Sequence, residues 1–377
     1  MEYKKYNNIK LGIVIFKSVI SFLLIIGFVY FHFSLMLEHY IRLFSSNSYV
    51  LFIIFILITG FVGIILFSPL NYYKDFYLEH KYKLSNQTFG RWIFENFKGL
   101  VVSLVIGIPI LLGFYFMLNR FGQLWWLPFA FLLFIISVVL ARLVPVIVLP
   151  LFYKITPLED EGLKGRITML AEDAGIKVEN VFKFNMSKNT KKANAAFTGL
   201  GKSKRILLGD TLLDNYNKDE IETVIAHELG HYKKKHILKN LIIGTVASFG
   251  MLYIISILYS VSLQWFGFKS IQEIAALPLL SVWAMLVGLI ETPLTNILSR
   301  KFEYEADEYA VSATNKPEAF ISTLNRLTDQ NLADRNPHPF VEWFFYSHPS
   351  IENRINAIRK FIERNSTGNE NLGLEET

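Results

Sequence analysis

The chain has 377 residues, of which 52% are hydrophobic, 15% aromatic and only 19% charged, and its mean hydropathy is +0.34. That is too apolar for an ordinary soluble protein, and with no cysteine there can be neither disulfides nor thiolate metal sites, so any zinc must use histidine and carboxylate. The net charge of +6 does not point to nucleic acid, because the basic residues flank apolar spans, as they do at a membrane surface.

In chain order, residues 1–10 are short, polar and basic, and residues 11–37 are apolar apart from Lys17, His32 and a few serines. This run is too long for a signal-peptide core and no small-residue cleavage site follows, so it predicts an uncleaved membrane helix with Lys17 snorkelling towards its start. Residues 49–70, 100–118 and 125–148 predict three more spans, the last anchored by Trp125 and Trp126 at the interface. Between the second and third lie Lys74, Lys81, Lys83, Arg91 and Lys98, whereas the segments after the first and third offer Arg42 and Arg120. The positive-inside rule then places the Lys-rich segment, the amino terminus and everything after Pro150 on the cytoplasmic side.

From Pro150 the composition changes. Residues 158–174 have helical periodicity, opened by Pro157 and an acidic run, and 180–186, 194–199 and 205–208 read as short strands. Asn217 followed by Glu220 predicts a capping box, and the helix it starts carries His227-Glu228-Leu229-Gly230-His231. Two histidines at this spacing face the same way one turn apart and can share a cation, and Glu228 beside them can reach a water on it. A helical histidine pair is also a common surface feature, but Val224-Ile225-Ala226 ahead of it is apolar, as a buried ligand face needs. The most economical third ligand is Glu303, with Glu305 and Glu308 competing on the same acidic stretch.

The His227–His231 helix is expected to run on without stopping through Lys233, Lys234 and Lys235, with His236 facing away from the ligand pair, into a fifth span over 241–268. A sixth begins over 275–290 and extends towards Leu298, carrying Glu291 and Asn296. Two crossings return Glu303 to the side of His227 and His231. Helices follow over 317–332, 339–346 and from His348-Pro349 to about residue 364, with His348 reading as a helix cap; residues 365–377 are polar and predict a disordered tail. The expected fold is thus an α-helical polytopic membrane protein of six or seven spans, six of them counted here, carrying an α+β zincin-like (gluzincin) metalloprotease domain. Its divisions are a four-span membrane domain (1–148), a catalytic half (149–240), two spans (241–298), a second catalytic half (299–364) and the tail (365–377).

Several words then align with one family. They are residues 79–88 (EHKYKLSNQT), 150–158 (PLFYKITPL), 194–199 (NAAFTG), the His227–His231 motif, 299–307 (SRKFEYEAD) and Ser347-His348-Pro349. In these the chain resembles the type I CAAX prenyl proteases, integral-membrane zinc endopeptidases. It departs from them in having Lys83-Leu84-Ser85 where the family word has Gly-Phe-Asn, and six spans where seven are common. The resemblance implies one Zn2+ per chain held by His227, His231 and Glu303, Glu228 as general base, and Asp307 orienting a ligand histidine. It implies that Asn194, Ala195, Ala196 and Phe197 form an edge strand that pairs with the substrate backbone, and that His348, supported by Arg354, stabilises the oxyanion. The implied partners are a protein or peptide substrate at the lipid bilayer, prenylated in the CAAX-type reading, and no nucleic acid. The implied location is the bacterial inner membrane or the endoplasmic reticulum membrane, with the site facing the cytoplasm. Two alternatives are an HtpX-like quality-control protease, which shares the later words, and a transporter or lipid-handling protein with a structural metal.

Overall fold

The computed structural model describes residues 2–176, 181–198 and 205–373. The membrane part opens with α1 (Glu2–Tyr30), after which His32 adopts the left-handed region (φ 61°) and ends the helix, so that α2 (Phe33–Arg42) turns away from it. The expected first span over 11–37 therefore starts earlier and stops sooner. Asn47 caps α3 (Ser48–Tyr72), its side chain accepting from Tyr49 and Val50 N–H groups, and the helix continues through a π turn into α4 (Leu78–Lys81). Thr88 caps α5 (Phe89–Phe121), which is followed by α6 (Trp126–Leu143) and the short α7 (Leu149–Phe152). At one end of this bundle Phe52 stacks on Tyr115 at 4.5 Å and Phe114 meets Trp125 edge-on at 5.2 Å.

The second part is an α/β lobe. Its strands are β1 (Ile155–Pro157), β2 (Val181–Phe184), β3 (Ala195–Thr198) and β4 (Arg205–Gly209), in the spatial order β1-β2-β4-β3. β2 and β4 are parallel; β1 and β3 are antiparallel to their neighbours, and β3 pairs through Ala196↔Leu207 and Phe197↔Ile206. Three strands were expected. The fourth, β1, takes up Pro157, and α8 (Glu161–Asp173) begins later, capped by the Asp160 carboxylate, which accepts from Leu163 N–H at 3.0 Å. Positions 180 and 199 of the expected strands lie outside the described residues.

After α9 (Asp210–Asn215) comes α10 (Lys218–Lys233), which carries His227-Glu228-Leu229-Gly230-His231. The capping box is present: Glu220 N–H donates to Asn217 Oδ1 at 2.9 Å and Asn217 N–H to Glu220 Oε2 at 3.0 Å. Contrary to expectation, the helix stops. Lys235 is left-handed (φ 59°), and α11 (His236–Ser262) starts afresh in a new direction. α12 (Pro278–Thr314) runs from the apolar end of the bundle into the lobe, about 55 Å at the standard helical rise. α13 (Pro317–Asn331), α14 (Pro339–Phe345) and α15 (Ile351–Gly373) close the lobe. α15 continues past the expected stop near residue 364, so the polar stretch is helical to Gly373; residues 374–377 lie outside the described residues.

Among the described residues six helical stretches are long and apolar enough to cross a membrane, beginning at Glu2, Ser48, Phe89, Trp126, His236 and Ile274. The lobe is built around α10, whose Ile221, Ile225 and Leu229 pack with Ile167 of α8, Leu208 of β4, Phe320 of α13 and Ile358 of α15.

Candidate metal centre

α10 and α12 approach closely at Gly230. A Cβ there would stand 3.1 Å from the Cα and carbonyl oxygen of Ala306, so only glycine lets the two backbones come this near. The approach brings Glu303 between the two motif histidines. His227 Nε2 and His231 Nε2 are 3.2 Å apart, Glu303 Oε1 is 3.3 Å from His231 Nε2, and Glu303 Oε2 is 3.5 Å from His227 Nε2.

These separations test whether a metal fits. Ligand atoms about 2.0–2.1 Å from a tetrahedral zinc stand roughly 3.3–3.4 Å from one another, close to what the three groups show. Glu303 Oε2 is buried and, among the described residues, accepts no well-aligned hydrogen bond, although nitrogens of His348, His227 and Arg354 lie 3.0, 3.5 and 3.7 Å away. A buried carboxylate oxygen left so needs a further partner, and a cation supplies it. The donor set of two imidazoles and a carboxylate is one that zinc takes. Glu308 is exposed on the far side of α12, and Glu305 turns towards His236, which leaves Glu303 alone of the three at the histidines.

Behind the ligands, Asp307 Oδ1 lies 2.8 Å from His227 Nδ1, and Arg354 forks onto Asp307 through Nε (2.8 Å) and Nη2 (2.5 Å). Asp307 is buried, at 1% exposure, so its charge must be paired, and the bidentate fork does this. Burial pulls His227 down, but the Asp307 and Glu303 carboxylates outweigh it and raise its pKa to about 9. Burial likewise opposes the charge of Arg354, and Asp307 and Glu303 more than restore it, so its pKa is raised. Arg354 was expected to back His348. Two of its nitrogens fork onto Asp307, and Nη2 also lies 3.5 Å from His227 Nδ1.

Of the expected residues, Asn194, Ala195, Glu228, His348 and Arg354 line one cavity of about 540 Å³ together with His227 and Glu303. β3 is an edge strand, with Ala195 and Phe197 buried and Asn194 exposed. Phe197 N–H points away from β4 and donates to Glu228 Oε2 at 3.4 Å, so the general-base candidate and the free strand edge meet. His348 stands exposed at the mouth on the loop between α14 and α15, with Nδ1 3.0 Å from Glu303 Oε2. His338, its look-alike, caps α14 by accepting from Phe340 N–H.

Sequence reasoning missed the residues that hold the edge strand. Asn331 of α13 accepts from Ala193 N–H at 3.0 Å and donates to Ala193 O at 3.3 Å, imitating a neighbouring strand. Glu79 on α4 accepts from Tyr6 at 2.5 Å, Lys10 at 2.6 Å and Lys192 at 3.2 Å, fastening the membrane bundle to the chain just before β3. The 79–88 word is therefore a docking seam, with Asn86 Nδ2 donating to Ser187 O at 2.9 Å. A carboxylate buried beside membrane spans was the available signal.

A helical membrane bundle carrying a histidine–histidine–carboxylate centre beside a free strand edge defines a multi-pass membrane metallopeptidase. The comparisons with known proteins give the family. Residues 157–362 match the profile described as peptidase family M48, and residues 2–154 match "CAAX prenyl protease N-terminal, five membrane helices". The chain belongs to peptidase family M48. Within 2–154 four helices are long enough to span, with the shorter α2 beside them. The chain is 32% identical over 321 residues to an uncharacterized metalloprotease, YhfN, of Bacillus subtilis, covering 81% of this chain and 72% of that one. It is 33% identical over 316 residues to CAAX prenyl protease 1 of Saccharomyces cerevisiae, covering 78% and 69%. The crystal structure of S. mikatae Ste24p superposes with a TM-score of 0.84 at 28% identity, covering 95% of this chain and 88% of that one.

Proposed function

We propose that this metallopeptidase is a zinc endopeptidase of the CAAX-processing type, acting from the cytoplasmic face on extended, membrane-anchored protein segments. The observation that carries the reading is the near-tetrahedral spacing of His227 Nε2, His231 Nε2 and Glu303 next to the open edge of β3. The resemblance to yeast CAAX prenyl protease 1 supports the substrate class, and the Lys-rich 71–99 segment supports the orientation.

His227, His231 and Glu303 would hold the zinc, which would supply Lewis-acid activation of water and of the scissile carbonyl. The substrate backbone adds along Asn194 to Phe197 to the side of β3 that faces away from β4. Glu228 takes the proton of the attacking water and returns it to the leaving amine. His348 at the cavity mouth donates to the developing oxyanion. Asp307 holds His227 through Nδ1, and Arg354 holds Asp307.

The test uses the purified full chain in detergent, assayed for zinc and for cleavage of a farnesylated CAAX peptide and its unprenylated twin. One zinc per chain and a clear preference for the farnesylated peptide are expected, with zinc lost in Glu303→Ala and kept at saturation in Glu305→Ala. Equal cleavage of both peptides favours the HtpX-like alternative; a tightly held metal with no cleavage favours the structural-metal alternative. In right-side-out vesicles, an impermeant thiol reagent should label a cysteine at position 269 and spare one at position 188; the opposite pattern inverts the orientation.

A further inference from the structure

His236 opens α11 directly after the left-handed Lys235, and that break swings its ring back onto α10. Its Nδ1 lies 3.0 Å from Nδ1 of His231, and its Nε2 lies 3.0 Å from Oε2 of Glu305 on α12. The ring is buried and stacks on Phe302 at 4.2 Å with 10° between the planes, so its orientation is fixed. Lys239 stands 3.7 Å from the same Glu305 oxygen.

Proton placement follows from the donor inventory. A carboxylate can only accept, so His236 carries its proton on Nε2 and, as a neutral ring, presents a lone pair at Nδ1. The proton between the two Nδ1 atoms then belongs to His231. That leaves His231 Nε2 with its lone pair free, and this is the atom that faces His227 Nε2 and Glu303 Oε1. It is the tautomer a metal ligand requires. His227 has its carboxylate, Asp307, in direct contact. His231 reaches one through an intervening imidazole.

We infer that Glu305 and His236 form a two-residue relay that fixes the tautomer and ring orientation of His231 for the metal. Both are positioning residues, since neither reaches the cavity. The relay rests on the zinc reading proposed above.

His236→Phe is the incisive variant, because it keeps the ring volume and the stack on Phe302 and removes both nitrogens. Zinc affinity is measured by chelator competition on the purified full chain, and ligand geometry by the visible absorption of the Co2+-substituted protein. H236F should bind zinc about 10- to 100-fold more weakly, with stoichiometry at saturation unchanged. Its cobalt spectrum should shift, and the unfolding midpoint of the metal-free protein should stay in place. Glu305→Ala should show the same changes at smaller size, and the double variant should lose no more than H236F alone, because the two act in series. Wild-type zinc affinity and cobalt spectrum in H236F would overturn the relay while leaving the metal centre intact. Additive losses in the double variant, or an affinity loss matched by lost metal-free stability, would also overturn it. A wild-type chain that takes up neither metal would remove the relay and the zinc reading together.

Discussion

The membrane bundle and the catalytic lobe invert each other's burial. In the bundle many large apolar residues face outward, Val105 at 68% exposure and Ile290 at 69% among them. In the lobe the apolar residues are inside, and several of the most buried groups are charged, among them Asp307, Glu303 and Glu220. Lipid gains nothing from hiding a valine, so the bundle can spend its apolar surface on its solvent. Water rewards burial, so the lobe packs a core and can then hold charges in it, provided each has a partner. Asp307 has Arg354 and His227, and Glu220 has Arg326, Ser322 and the N-terminus of α10. Where the bundle buries a carboxylate it obeys the same rule: Glu38 on α2 accepts from Ala275 N–H at 2.7 Å and pairs with Arg42.

The largest effect should come from Glu228, which lines the cavity beside His227 and Glu303. Glu228→Gln leaves all three ligands in place, so metal content should be unchanged while kcat falls by about 10²- to 10⁴-fold. Near-normal turnover in that variant would remove Glu228 from the chemistry. Next is Asp307→Ala, which strands the buried Arg354 guanidinium and should cost about 3–5 kcal/mol, read as a lower unfolding midpoint together with weaker zinc retention. A small change in midpoint would mean that the fork carries little of the lobe's stability.

The contrast of solvents is tested by making one substitution on both sides of it. Val105→Lys on α5 should cost about 2.5–3.5 kcal/mol of membrane insertion, whereas Met169→Lys on α8, at 60% exposure, should stay within about 0.5 kcal/mol. Equal effects in a glycosylation-based insertion assay and in lobe stability would show that α5 does not face lipid. The smallest of the destabilising effects belongs to Glu220. Burial tends to raise its pKa, but the Arg326 guanidinium, the Asn217 N–H and the Ser322 hydroxyl lower it overall. A carboxyl lowered in the folded state adds stability above its unfolded pKa of 4.5 and loses it as pH falls through the lower folded value. Metal-free wild type should therefore lose stability in acid below about pH 4.5, and Glu220→Gln, about 1 kcal/mol less stable at neutral pH, should show a flatter acid limb.

The parts of the molecule legible in the sequence are those set by neighbours in the chain. Hydropathy runs marked all six spans, and Asn217 and Glu220 marked the start of α10 because a capping box closes within one turn. The spacing of His227 and His231 placed two candidate ligands on one face, and the preference for Glu303 over Glu305 and Glu308, like the edge-strand reading of 194–199, came from the family words. Errors fell where a local reading had no way to weigh a distant partner. Lys233 to Lys235 have ordinary helix propensity, yet the helix breaks at Lys235 so that α11 can leave along α12. Ile155-Thr156-Pro157 is too short to read as a strand, but pairing with β2 makes it one. His236 was placed on the wrong face by extending a helix that had already ended.

The sequence by itself therefore determined that two histidines and a glutamate beside them lie on a capped helix and that six stretches are long and apolar enough to span lipid. Only the tertiary structure decided which groups stand behind those ligands: Arg354 on Asp307, Glu305 on His236, Asn331 on Ala193. The reason is range. Caps and periodicity are fixed within a few residues of the chain, but the depth to which α12 sinks against α10 is set by the Gly230–Ala306 contact and by packing of the whole lobe. A shift of one residue along either helix would turn Glu303 away from the histidines without altering a single local signal.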